Sequence, residues 1–332
     1  MSLRLPEKTR VSVGTANVLG LLEERLDTAP TTAYLMTYHE GKCAANCAFC
    51  PQARNSRSGT ERLSRVTWPA LSTVILLEKL KESVQSGRLG RVCIQGLNYC
   101  DVFEDICAIV RELKRRMSVP VSVSCQPLKP ENMWALAAAG ADRIGIALDA
   151  ATESLFDKVK GASAGGPYRW KDLRRFLQVA VGIFGEDGVS THLIVGLGET
   201  EKEMVQTIQD CVNMGVLPAL FAFTPVHGTA MADISPPKLD VYRRVQVVRH
   251  LVVNGIVQAD DLLFDEEGRI VDFGVSRRVL FNIVESGLLF QTSGCPNCNR
   301  PFYNEKASGP LYNYPRAISP TELKAIKHLL NL

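Results

Sequence analysis

From residue 31 onward, short β-rich runs alternate with longer amphipathic ones, the pattern of a parallel sheet wound with helices. Strands are expected at about 33–38, 91–95, 120–125, 142–148, 189–195 and 219–224, with a weak one near 262–264 and another at 288–292. Helices are expected over Trp68–Ser86, Val102–Met117, Pro130–Ala139, Tyr168–Phe184, Glu199–Gly215 and Pro237–Val253, several stopped by a glycine just beyond the end. Eight such strands predict an α/β fold of the (β/α)8 TIM-type barrel, whose functional groups gather where strands end and loops begin. Residues 1–30 read as a helical extension packed on the barrel, 31–292 as the barrel, and 293–332 as a tail folded over one end. No internal repeat, low-complexity tract or linker divides the chain.

With 332 residues of which 46% are hydrophobic, there is apolar material for one large core. A net charge of +3 without any Lys/Arg run gives no case for nucleic acid. Charged residues such as Arg4, Glu7, Lys8, Arg10, Glu23, Glu24 and Arg25 interrupt the first thirty positions, so no apolar secretory core is expected there. No run approaches the roughly twenty apolar residues of a membrane span. The expectation is a cytoplasmic protein without membrane or nucleic-acid partners, whose ten cysteines are thiols or metal ligands rather than a disulfide framework.

Three of those cysteines crowd into His39–Gln52, at Cys43, Cys47 and Cys50. A structural zinc site wants four ligands, and the nearest downstream thiol is Cys93. Three thiolates suit a [4Fe-4S] cubane, which then keeps one iron open to chelate a small molecule through nitrogen and oxygen. The bland alternative is a zinc or redox-inert cysteine loop.

The Cys-x3-Cys-x2-Cys spacing with Phe49 before the last cysteine resembles the signature of the radical S-adenosylmethionine (radical SAM) superfamily. That resemblance implies that the open iron binds the amino and carboxylate groups of SAM. One electron, from a donor such as ferredoxin or flavodoxin, then yields methionine and a 5′-deoxyadenosyl radical, with Phe49 near the adenine. Strand two ends Val92-Cys93-Ile94-Gln95-Gly96, where many members carry Gly-Gly-Glu on the methionine amino group. The missing Glu, the cysteine at Cys93 and the sequence Cys50-Pro51-Gln52 are similar to biotin synthase, which places Gln95 and Gly96 beside SAM.

Strand four ends at Asp149, which by the same resemblance binds the SAM ribose, although the family's Asn two residues earlier is Ala147 here. Asp149 has an alternative reading as a helix N-cap. Strand five, His192 to Thr200, resembles the Ile-Val-Gly-Leu-Gly-Glu of biotin synthase, which puts Ile194 and Gly196 against the adenine. The run Phe223–Thr229 resembles the Gly-Thr-Pro region lining the same face.

Cys93 and Cys125 match two ligands of biotin synthase's auxiliary cluster, but its third cysteine falls on Ser190 and its arginine ligand has no counterpart in the sequence. Cys295 and Cys298 form a Cys-x2-Cys turn after the last strand, expected at the same barrel end. Together the four thiols predict an auxiliary [4Fe-4S] site, whereas a Cys-x2-Cys alone is more often a zinc half-site or redox pair. Cys107 and Cys211 read as packing thiols, and Cys100 as a reserve ligand. His39, His192 and His227 near strand ends read as hydrogen-bonding groups, and Arg143, Tyr99 and Asp101 as substrate-facing candidates.

The tail, Cys295-Pro-Asn-Cys-Asn-Arg-Pro-Phe-Tyr-Asn-Glu305 and Gly309–Arg316, resembles subunits of the two-component lipoyl synthases. That implies sulfur insertion at the sixth and eighth carbons of an octanoyl chain, amide-linked to a lysine of a carrier protein or lipoyl domain, alongside a partner radical SAM subunit. No acid or base can ionise such a C–H bond, whereas a positioned radical can break it. The alternatives are biotin synthase or another radical SAM enzyme acting on a free small molecule, and a non-catalytic iron–sulfur or zinc-stabilised protein.

Overall fold

The computed structural model describes residues 4–306 and 308–332. Its strands are β1 (Lys8–Val11), β2 (Thr32–Thr37), β3 (Arg62–Leu63), β4 (Val66–Thr67), β5 (Ala70–Ser72), β6 (Arg91–Gln95), β7 (Val121–Ser124), β8 (Arg143–Gly145), β9 (Val189–Val195), β10 (Leu217–Ala222), β11 (Leu263–Phe264) and β12 (Ile270–Asp272). The helices are α1 (Val13–Val18), α2 (Thr73–Gln85), α3 (Val102–Arg116), α4 (Pro130–Ala139), α5 (Glu153–Val159), α6 (Trp170–Phe184), α7 (Glu201–Asn213), α8 (Leu239–Val253), α9 (Arg277–Glu285) and α10 (Pro320–Leu329).

β2 is buried at all six positions, as a strand covered on both faces must be, and with β6 to β10 it forms a parallel sheet in the order β10-β9-β8-β7-β6-β2. The crossover helices carry their own start and stop signals. α4 opens on Pro130 and stops at Gly140, whose φ of +107° only glycine adopts at little cost. α7 opens on a Thr200/Glu203 capping box. α3 has Glu104 and Asp105 in its first turn and Lys114, Arg115 and Arg116 in its last, matching the helix dipole.

Two sequence expectations fail here. The parallel set has six strands rather than eight, so the α/β sheet is a partial TIM-type barrel. The run near 262–264 is β11, which pairs with β12 in a separate antiparallel ribbon. Leu288–Phe290 forms a 3-10 turn after Gly287, and only Gln291 makes a bridge, to Tyr314 of the tail. Short apolar runs carry no period long enough to tell a strand from a turn. The N-terminal extension is not simply helical either. Its β1 pairs antiparallel with β2 (Arg10↔Met36) and with β5, leaving the six-residue α1 as its helix.

Tail residues 293–304 run from β10, one edge of the sheet, to the start of β2. Leu220 N–H of β10 donates to Ser293 Oγ (2.9 Å) and Thr224 Oγ1 to Asn304 O (2.8 Å). On the β2 side, Thr31 and Thr32 hydroxyls donate to Asn297 O at 2.6 and 2.8 Å. Most buried apolar residues form one core, but Tyr34, Met36, Trp68 and Leu97 make a smaller separate cluster inside the barrel, against which Cys93, Cys298 and Tyr303 pack. Among the described residues no helix is long and apolar enough to cross a membrane.

Candidate active site

The barrel encloses a cavity of about 250 Å³ whose wall includes Cys43, Cys47, Cys50, Cys93, Cys295 and Cys298. The loop carrying the first three is pinned by its own backbone. Cys43 N–H donates to Gln52 O, and Cys50 N–H to Cys47 O, each at 3.0 Å; Ala48 N–H reaches Val159 O at 2.7 Å. The Gln52 side chain, 1% exposed, donates to Thr60 O at 2.7 Å and to Arg62 O at 2.5 Å, while Lys42 Nζ donates to Pro51 O at 2.8 Å.

A [4Fe-4S] cluster fits this donor set. The three thiols face one cavity, and Asn98 N–H already donates to Cys43 Sγ (3.2 Å), the kind of contact that steadies a cluster sulfur. Although Cys47 and Cys50 show some surface to the cavity, enclosure by protein pushes the Cys47 thiol above its ordinary range and Cys50 up to about 12. Metal binding must therefore displace their protons. Among the described residues no three His, Cys, Asp or Glu side chains are placed to hold a single ion, whereas a cubane spreads its thiolates over different irons.

Of the expected SAM contacts, Phe49, Gln95, Gly96, Asp149 and Ile194 line the cavity. Gln95 points toward the second thiol group, donating from Nε2 to Cys93 Sγ at 3.0 Å. Gly196 is a correction. It lies outside the cavity wall, its N–H is taken by Glu199 Oε1 (2.6 Å), and a Cβ there would meet Pro237 at 2.7 Å. Its φ of +101° is one that glycine adopts at little cost.

Asp149 is buried with φ +67°, a left-handed conformation unusual for a residue with a side chain. Its backbone is tied to β9: Asp149 N–H donates to His192 O and Ile194 N–H to Asp149 O, each at 2.8 Å. The helix-cap alternative falls, because Thr152 caps α5. Lys160, which nothing in the sequence singled out, donates from Nζ to Asp149 Oδ2 at 2.7 Å and to Ala147 O at 2.5 Å, leaving Oδ1 to accept from a ligand hydroxyl. Burial works against the Lys160 charge, but Asp149 and then Cys47 outweigh it and hold the ammonium above the usual lysine value. His192 also faces the cavity, tilted on Phe221 with ring centroids 4.7 Å apart. Burial pushes its imidazole down to about 4, so it is neutral at pH 7.

The second thiol group follows from strand register. Tyr34, Cys93, Ser122 and Arg143 are successive partners across β2, β6, β7 and β8, so they form one row inside the barrel. The Cys295–Cys298 turn meets that row: Ser122 Oγ donates to Cys295 Sγ at 3.4 Å, and Tyr34 Oη lies 3.5 Å from Cys298 Sγ. Its expected location needs correcting, since Asn297 is tied to the start of β2 and Pro296 O accepts from Arg91 at the start of β6 (3.0 Å). The turn thus reaches the row from the N-terminal end of the barrel, opposite the Cys43–Cys50 loop. Burial, then Cys295 and Cys298, raise the Cys93 thiol above its ordinary range.

Cys125 is the second correction. It borders the cavity, but one step past Ser124 it takes the outward parity of Val121 and Val123. Burial pushes its thiol up to about 12, and the neighbouring thiol that adds to this is Cys107 of α3, not Cys93, Cys295 or Cys298. Cys100 is exposed and outside the cavity wall. Tyr99 and Asp101 are absent from the wall as well; Tyr99 Oη donates to Asp105 at 2.6 Å. The tail supplies two further wall residues that sequence reasoning passed over. Arg300 lies 3.8 Å from the Phe221 ring centre, and Tyr303 sits between the thiol groups, its phenol raised first by burial and then by Cys50.

Comparison with known proteins places the fold and the family. Among solved structures, the FeFe-hydrogenase maturase HydG from Carboxydothermus hydrogenoformans is similar in fold, with a TM-score of 0.50 at 11% identity over 96% of this chain and 86% of that one. Methylornithine synthase (PylB) gives 0.50 at 12% identity, over 75% and 81% of the two chains. A biotin synthase of Synechococcus sp. (strain JA-3-3Ab) is 24% identical over 223 residues, which span 61% of this chain and 63% of that relative. The family description "Radical SAM superfamily" matches residues 38–211, more than half of the chain and the segment holding Cys43, Cys47, Cys50, Asp149 and Lys160, so this protein belongs to the radical SAM superfamily.

Proposed function

We propose that the protein inserts sulfur into an octanoyl chain carried on a lysine of a carrier protein or lipoyl domain, working with a second radical SAM subunit and a one-electron donor of the ferredoxin or flavodoxin kind. The observation that carries this reading is the second thiol group, Cys93, Cys295 and Cys298, facing the same cavity as the first, with Cys93 and Cys298 packed against the apolar cluster of Tyr34, Met36, Trp68 and Leu97. Thiols at both ends of a cavity suit a reaction that opens a C–H bond at one end and delivers sulfur from the other.

With a cluster and SAM bound at Cys43, Cys47 and Cys50, that end supplies an oxidant able to take a hydrogen atom from an unactivated methylene. The chain's own residues do the rest. Asp149, held by Lys160, would orient the ribose; Phe49 and Ile194, in the same wall, would flank the adenine; and Gln95 donates to Cys93 of the second thiol group. The apolar cluster gives an uncharged alkyl chain a surface to displace water from, and the tail tied to β10 covers part of the cavity.

The test is to supply an octanoyl-lysyl carrier or peptide together with the partner subunit and read sulfur additions by mass. Free octanoate should react poorly, because it lacks the carrier surface. A biotin-forming reaction is the second reading, favoured by the biotin synthase relative. Turnover of dethiobiotin with no sulfur on the octanoyl carrier would replace the first reading by the second.

A further inference from the structure

Two connections place Lys160 beside the first thiol group. Val159 O, one residue before it, accepts from Ala48 N–H at 2.7 Å, and Ala48 follows Cys47. The Lys160 ammonium also lies 5.3 Å from the centre of the Tyr168 ring, whose hydroxyl accepts from Asn98 Nδ2 (3.1 Å) while Asn98 N–H donates to Cys43 Sγ (3.2 Å). Lys160 lines the cavity together with Cys43, Cys47 and Cys50, and its side chain is only 6% exposed. Lys42, on the cysteine loop itself, is different: it is half-buried and donates to Pro51 O and Ser58 O, so water screens it.

A charge enclosed by protein acts on its neighbours more strongly than one in water. Burial raises the Cys47 thiol, and the Lys160 charge works against that rise ahead of Cys50, Asp149 and Cys43, which add to it. The potential of an iron–sulfur cluster depends on the net charge and the exposure of its surroundings. We propose that the Lys160 ammonium offsets negative charge at Cys47 and so sets how readily a cluster held by Cys43, Cys47 and Cys50 accepts an electron, with Asp149 as the counter-charge that moderates it. This rests on the reading that those three cysteines hold the cluster. The electron comes from the external one-electron donor, and Lys160 keeps its proton on Asp149 and Ala147 O throughout. The residue acts by charge alone, through the thiolates, and takes no part in bond breaking.

The experiment uses the full chain with Cys295→Ala and Cys298→Ala, so that any cluster signal comes from the first site. The protein is reconstituted with iron and sulfide and titrated with dithionite without SAM, while electron paramagnetic resonance follows the reduced cluster. In that parent, Lys160→Met should lower the midpoint potential by about tenfold in the reduction equilibrium, ~59 mV for one electron. Lys160→Arg, which keeps the charge, should stay near the parent. Asp149→Asn, which leaves the ammonium without its counter-charge, should move the potential the other way, and it keeps the proposal testable if Lys160→Met fails to fold. Loss of structure alone does not give shifts of opposite sign. Potentials that ignore both residues, or that move in the same direction for Lys160→Met and Asp149→Asn, overturn the inference. A parent protein that takes up no cluster overturns the reading beneath it.

Discussion

Replacing Lys160 with Met keeps most of the side-chain volume and strands Asp149 in a place with almost no water, since the two side chains are 6% and 9% exposed. Breaking a buried pair from one side typically costs about 3–5 kcal/mol. Protonating the carboxyl caps that loss: from an ordinary value near 3.9 it costs about 4 kcal/mol at pH 7 and about 2 kcal/mol at pH 5.5. The sign follows from proton counting. In the variant, folded Asp149 binds a proton that the unfolded chain has released, so stability falls by about 1.4 kcal/mol per pH unit as pH rises above 3.9. In the wild type the raised Lys160 value adds stability that is complete below the ordinary lysine range and lost only as pH rises through the raised value. Urea unfolding of metal-free wild type, Lys160→Met, and Lys160→Met with Asp149→Asn at pH 5.5 and 7.5 checks this. The single variant should lose more at the higher pH, and the double variant should lose that pH dependence. A single variant within about 1 kcal/mol of wild type at both pH values would refute the buried-pair reasoning.

Cys125→Ala should keep full iron content at a cost of about 1 kcal/mol, as for trimming a small buried apolar side chain, whereas Cys295→Ala with Cys298→Ala should lose iron and sulfur transfer while still cleaving SAM; iron analysis and 5′-deoxyadenosine release separate the two. Gly196→Ala should lower stability by about 1–3 kcal/mol through its φ of +101° and the 2.7 Å approach to Pro237, read by thermal unfolding. His192, pushed down to about 4, binds no proton when folded at pH 5 while the unfolded chain does, so its contribution grows between about pH 4 and 6.5 and is complete above. Its loss at pH 5 relative to pH 7 is about 2 kcal/mol, and His192→Gln should flatten that part of the stability profile.

The first thiol group was legible because three cysteines at fixed spacing are chemistry written along the chain, and the crossover helices because their length gives periodicity room to speak. β6 and β9 fall where the runs 91–95 and 189–195 put them. The seventh and eighth strands were lost because Leu263–Phe264 and Leu288–Phe290 are too short to show a period, and their pairing is decided by the tail and β12. Cys125 was misplaced by one residue of parity, which in a strand means the opposite face. Lys160 was invisible for another reason. It follows Lys158 at the end of a short helix like any solvated lysine, and only the left-handed turn at Asp149 brings the partner to it.

The most direct measurement is a single turnover with both clusters reconstituted using ³⁴S-sulfide, the octanoyl-lysyl peptide, SAM, reductant and the partner subunit. Sulfur at the Cys93, Cys295 and Cys298 site should appear in the peptide as ³⁴S, and disappear from it in the Cys295→Ala and Cys298→Ala protein although 5′-deoxyadenosine is still formed. Peptide that gains unlabelled sulfur, or gains the label equally well without those two cysteines, would contradict a cavity that makes its radical at one end and draws its sulfur from the other.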